Sequence, residues 1–367
     1  MSTITVIQHN VNHWNNKKFE LSNVYRNLNP DIILINDTGL IDGQNIHIPY
    51  FDTYHSNKEN RCHRGTAIAI RSGMKYKIHD DFESDLLAVT VETRQGPLTL
   101  ATDYLPPNTE YINFIDYNYL LNRRFPVYLL GDLNAAHSSL GVARTNPVGS
   151  NLATLIRNDK LRHIGPAFPT LIRHNSTTTP DMVFSNRVAY HNVHLEEGPL
   201  TSSDHIPIIA KISANPIQIP IKPRFQFDKA NWQEYQAELN NIVPPDMNAK
   251  NTNEIDEHLE SWTKKIQDAT KKHVPLLSYR IVPGVKPTPE IVLLQARYAA
   301  IKNYIAQHGT SAQLMRRISE TRLKIRNEYI KLKDETWNKL IEDITIDERD
   351  CSKFWKSIKR MMGNKKQ

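Results

Sequence analysis

Between residues 4 and 212 the apolar residues come in short runs parted by polar turns. The runs lie at 4–8, 31–35, 66–70, 86–91, 98–102, 127–130, 182–184, 193–195 and 206–212. Runs of this length suit strands and are too short for core-burying helices, so the stretch must fold around sheets. Only a few segments show helical spacing, at 17–28 (Phe19, Val24, Leu28), 110–121 and 150–157. Many strands with few helices predict sheet packed on sheet with helices outside, an α/β (α+β) architecture.

From about residue 214 the physics changes. Pro216, Pro220 and Pro223 interrupt the pattern, and helical spacing follows. Ile255, Leu259, Trp262, Ile266, Ala269 and His273 lie on one face of an expected helix, with Asn253 as its N-cap and Pro275 as its stop. Further helices are expected at 290–307 and 311–343, parted by Gly309, with Ile318, Ile325 and Leu332 seven residues apart in the second. The formal net charge of +7 is uneven: residues 1–213 hold 19 basic and 20 acidic side chains, and residues 214–367 hold 27 and 19. The expected organisation is a domain at 1–213, a Pro-rich linker at 214–228 and a basic all-α extension at 229–367. No internal sequence repeat is evident. The two cysteines, Cys62 and Cys351, are too few and too distant for a disulfide framework or a Cys-based zinc site. A reducing, intracellular setting with no disulfide-linked partner is therefore expected. No run reaches the length of a membrane span, so no membrane partner is expected.

Chemistry-bearing residues gather at the ends of the predicted strands. His9-Asn10 follows the first run, and Asn36-Asp37-Thr38 the second. Asp103-Tyr104 precedes a Pro pair, and Gly131-Asp132-Leu133-Asn134 ends the run at 127–130. Thr179-Pro180-Asp181 and Ser203-Asp204-His205 precede later runs. Singly, each has an ordinary alternative: Asp132 and Asn134 after a glycine suit a turn, and Asp204-His205 suits a cap. Together they supply what phosphodiester hydrolysis needs. Carboxylates hold a hard divalent cation, an imidazole moves a proton near neutral pH, and Asn and Tyr donate to developing charge.

In this order, these motifs resemble the endonuclease/exonuclease/phosphatase superfamily. The likeness is to the apurinic-endonuclease-like domain of non-LTR (LINE-type, jockey-like) retrotransposons and covers about residues 3–213. Gly65–Arg71 resembles that family's Gly-rich strand, and Gly131–His137 resembles its insect jockey-like branches. The resemblance implies a four-layered sandwich of two stacked β-sheets flanked by helices. It implies a DNA endonuclease that nicks one strand with Mg2+ or Mn2+ and acts, at least transiently, in the nucleus. Metal-site residues would be Asn10, Asp37 and Asp204. Asp132 and Asn134 would position water and phosphate, and Tyr104 would contact the scissile phosphate. His205 would be the general base or a phosphate contact, oriented by Asp181. Asp37 departs from the family, which normally has Glu there. The segments around 222–232 and 337–360 resemble the linker preceding such elements' reverse transcriptase, with RNA a further candidate partner of the basic helices. No polymerase signature occurs in the chain. Two alternatives are a weakened or inactive nucleic-acid-binding remnant and another phosphodiesterase or phosphatase of the superfamily.

Overall fold

A computed structural model describes residues 3–173, 176–219, 225–242, 252–276 and 283–345. Cys351, the basic segment 353–360 and Pro220 and Pro223 lie outside them. Contacts gather the described residues into two units, those at 3–219 with 283–345, and those at 225–276.

The first unit is built on two six-stranded sheets. One has β1 (Ile4–Asn10), β2 (Ile32–Asn36), β3 (Phe51–Ser56) and β4 (Thr66–Arg71), with β13 (Val193–Glu197) and β14 (Ile208–Ile212), in the order β13-β14-β1-β2-β4-β3. The other has β5 (Tyr76–His79), β6 (Leu87–Thr93), β7 (Gly96–Thr102), β8 (Val127–Asp132), β9 (Leu161–Gly165) and β12 (Asp181–Asn186), in the order β5-β6-β7-β8-β12-β9. A small hairpin, β10 (Leu171–Arg173) and β11 (Ser176–Thr178), stands apart. The pairs β1-β2 and β7-β8 are parallel and the remaining pairs antiparallel.

Side-chain alternation fixes the layers. Ile32 and Leu34 join Ile4, Val6, Val89, Leu100, Leu130 and Val183 in the core between the sheets. Their neighbours Ile33 and Ile35 face the other way. There they pack with Leu21 and Tyr25 of α1 (Lys18–Leu28) and with helices from far along the chain. The opposite sheet turns Ala101, Leu129 and Phe184 outward onto α2 (Phe114–Leu121) and α3 (Pro147–Arg157), through Tyr117, Leu120 and Leu152. The result is the expected four layers, and it explains why these strands read as unbroken apolar runs: both faces are covered.

The second unit holds α4 (Trp232–Asn240) and α5 (Thr252–His273), joined by a Tyr235–Thr270 hydroxyl contact of 3.1 Å. α5 begins at Thr252, so Asn253 lies inside the first turn and is not the N-cap. α6 (Pro289–His308) and α7 (Ala312–Thr345) complete the helical C-terminal region. Although they follow the charge step in sequence, they are in the unit of the sheets. Ile318, Ile325 and Leu332 of α7 and Leu294 and Tyr298 of α6 are buried in one cluster with Ile7, Ile33 and Ile35. Among the described residues no helix is long and apolar enough to cross a membrane.

Candidate active site

Register places the polar strand ends side by side. Asn10 and Asn36 end the parallel pair β1-β2 level with one another. Asp181, the first residue of β12, sits opposite Asp132, the last of β8, and Tyr104 bridges to Asp132. His205 reaches the same rim from the loop before β14.

A buried hydrogen-bond network joins these ends. His205 Nδ1 lies 2.7 Å from Asp181 Oδ2, and its Nε2 lies 3.9 Å from Asp132 Oδ2. Asn10 Nδ2 donates to Asp132 Oδ2 at 2.7 Å. Gln8 Nε2 donates to Asp181 Oδ1 at 2.8 Å and to Asn36 Oδ1 at 2.9 Å, and Asn36 Nδ2 crosses to Thr102 Oγ1 at 3.0 Å. Gln8 and Asn36 thus tie one sheet to the other beneath the site. Sequence reasoning assigned neither a role; the available signal was a lone amide in an otherwise apolar run.

The electrostatics follow from this packing. Burial disfavours a charged His205, but the Asp181 carboxylate and its hydrogen bond, with Asp132 and Asp204 nearby, outweigh it and raise the pKa to about 9. Asp181 goes the other way: burial opposes its ionisation, yet His205 and the donors Thr170 and Gln8 hold it below the usual range. Burial and the adjacent Asp181 charge push Asp132 up to about 7. Behind the pair, burial lowers the His9 pKa to about 3, so that ring stays neutral between Tyr25 OH at 2.8 Å and the His205 carbonyl at 3.2 Å.

The other expected site residues lie around this core. Asp37 is buried, and its charge is felt by Tyr104; its own pKa is raised by burial, against the neighbouring His13, His63 and His205. Its φ of 50° is left-handed, a conformation a short polar side chain tolerates better than Glu. That is a local reason for Asp at this place. Asn12, His13 and Asn134 are left-handed too, so backbone strain gathers at the rim. Asp204 is turned to Asn12 Nδ2 at 3.2 Å and Arg173 Nε at 3.3 Å. Asn134 directs its amide to the Leu105 carbonyl at 3.0 Å. Tyr104 is buried beside Asp132, and its pKa is raised, chiefly by burial.

Asp132, Asp181 and His205 bring ligand atoms within 4.8 Å of one another. Both Asp181 oxygens are already taken, one by Gln8 and one by His205, so this trio is better suited to moving a proton than to caging a cation. Two carboxylate oxygens, Asp37 Oδ1 and Asp132 Oδ1, are buried without a hydrogen-bond partner. Buried, unpaired anionic oxygens are costly alone and are what a hard divalent cation requires. The residues present therefore fit such an ion, with Asp37 the member of the expected metal set best placed to accept it.

Two stacked sheets between helices, with a His–Asp pair at the strand ends, are the arrangement that the resemblance to the endonuclease/exonuclease/phosphatase superfamily implies. Residues 98–209 are matched by the endonuclease-reverse transcriptase family. The chain is 22% identical over 345 residues to the RNA-directed DNA polymerase from mobile element jockey of Drosophila funebris, covering 90% of this chain and 37% of that protein. It is 25% identical over 286 residues to the Drosophila melanogaster counterpart, covering 75% and 31%. The chain thus spans about a third of the length of the curated relatives it matches. Among solved structures, the endonuclease domain of TRAS1, a telomere-specific non-LTR retrotransposon, covers 57% of this chain and 98% of its own at 17% identity and a TM-score of 0.48. The Xenopus laevis APE2 catalytic domain covers 59% and 94% at 17% identity and a TM-score of 0.42.

Proposed function

We propose that the sheet unit is a divalent-metal-dependent DNA endonuclease that hydrolyses one phosphodiester bond and leaves a nick. One observation carries the reading: the His205–Asp181 pair faces Asp132 across 3.9 Å, with a free Asp132 oxygen at the rim. Asp37 and Asp132 would hold Mg2+ or Mn2+, which when bound supplies charge neutralisation at the phosphate. Asp181 fixes the His205 ring with its Nδ1–H toward the carboxylate. With a pKa near 9, His205 is protonated at neutral pH, so it donates from Nε2 to a phosphate oxygen. Asp132 would position the attacking water and take its proton through Oδ2, the oxygen beside His205 Nε2. Asn10 holds the Asp132 carboxylate in place, and Tyr104 and Asn134 line the phosphate path.

Supercoiled plasmid incubated with the full chain and Mg2+ is expected to convert to open circles. EDTA should abolish this, and His205→Ala should reduce it by about 10^2-fold or more. Retained DNA binding without nicking, in Mg2+ and in Mn2+, would favour the nucleic-acid-binding remnant instead.

A further inference from the structure

The segment that presents His205 is gripped from every side. Glu20 of α1 accepts from Ser202 N at 2.7 Å, Ser203 Oγ donates to the Asn10 carbonyl at 2.7 Å, and His9 meets the His205 carbonyl. These contacts come from the sheet domain itself. Two more come from helices that follow it by about a hundred residues. Gln295 of α6 makes a paired contact with Leu200, its Nε2 donating to the carbonyl at 2.7 Å and its Oε1 accepting from the N–H at 3.1 Å. Arg322 of α7 sends one guanidinium nitrogen to the Ile172 carbonyl at 3.1 Å and to the Asp204 carbonyl at 3.4 Å. Its aliphatic stem leaves a helix anchored by Ile318 and Ile325, which are 1% and 0% exposed. Ile172 and Asp204 are already paired through Ile172 N–H at 3.3 Å, and Leu171 bridges to His205. Arg322 therefore closes the junction between the β10-β11 hairpin and the residue preceding His205.

We infer that α6 and α7 belong to the working nuclease, with Arg322 a positioning residue that holds the Asp204–His205 peptide against the hairpin. The inference rests on the endonuclease reading for its kinetic consequence only. A guanidinium with two carbonyl partners fixes direction as well as distance. A misplacement of about 1 Å at a reacting group can cost on the order of 10^2-fold in rate. The effect should fall on turnover, because Arg322 is half-buried and committed to backbone oxygens.

The test uses the full chain, with Arg322→Ala, Arg322→Lys and Gln295→Ala. Two measurements are made: nicking kinetics on a supercoiled plasmid with Mg2+, and amide hydrogen exchange over residues 200–206 without DNA. For Arg322→Ala, kcat is expected to fall about tenfold or more with KM within about twofold, and exchange of the loop to speed up about tenfold. Arg322→Lys, which keeps the charge and one carbonyl contact, should recover part of both. Gln295→Ala reports on the same loop if Arg322→Ala does not fold. Wild-type exchange and kcat in Arg322→Ala, or in Gln295→Ala where it stands in, would overturn the inference. So would a rise in KM at unchanged kcat, which would mark Arg322 as a DNA contact. Faster loop exchange in a protein whose wild type nicks nothing would uphold the positioning role and overturn the endonuclease reading.

Discussion

At the scale of single residues, the site is an exercise in opposed titrations. His205 binds its proton more tightly in the folded chain, near 9 against an ordinary value of 6.5. Its contribution to stability is therefore complete below about pH 6.5 and is lost as pH rises through about 9. Asp181, held low, contributes above its ordinary 3.8 and loses that contribution on acidification. Thermal melts of the metal-free protein between pH 6.5 and 9 should show Tm falling, and His205→Gln should flatten that slope. An unchanged slope in His205→Gln would place the titration elsewhere. Most of the residues that meet at this rim could be picked out in the sequence because they stand beside an apolar run, whereas Gln8, inside one, could not. What each side chain faces was not: Asp204 turns to Arg173, and Asn134 to a backbone carbonyl. Orientation of that kind is set by neighbours brought in from distant segments.

At the scale of elements, close backbone approach decides whether the rim can assemble. A Cβ at Gly131 in β8 would stand 2.2 Å from the Asp103 carbonyl oxygen. No flexible side chain is there to yield, so only glycine lets the Asp103–Tyr104 peptide lie against the end of β8 beside Asp132. Gly131→Ala should cost roughly 1–3 kcal/mol in chemical denaturation and depress nicking further than that loss explains. Wild-type stability would mean that the strands part more easily than the contact implies. Strands with unbroken apolar runs, such as 32–35, were readable because both faces are buried. β3, with sequence FDTYHS, and β9, with LRHIG, carry charged or polar residues and gave no alternation to read. α4 was hidden for the opposite reason: none of its residues is buried, so it shows no apolar stripe.

At the scale of the whole molecule, the seven-residue spacing of Ile318, Ile325 and Leu332 showed that something covers one face of α7, but not what. The cover is the cluster that includes the outer face of a sheet begun at residue 4, a pairing that no local pattern encodes. Ile325→Ala should therefore destabilise the sheet unit by about 2–5 kcal/mol, measured by urea unfolding followed at the β-sheet signal. A change confined to the helical signal would mean that α7 melts on its own. Each sheet has a helix-linked parallel pair at its centre, β1-α1-β2 and β7-α2-β8, and each adds the same pattern outward, β4 then β3 and β12 then β9. The backbone is thus the same design used twice, face to face, although the sequence shows no repeat. The two halves differ in the helices that cover them, α1, α6 and α7 on one and α2 and α3 on the other. They differ too in the residues set at matching strand ends: Asp181 opens β12 where Thr66 opens β4, and Asn10 closes β1 where Thr102 closes β7. The one-sided site is thus written in a handful of residues laid over a repeated strand order.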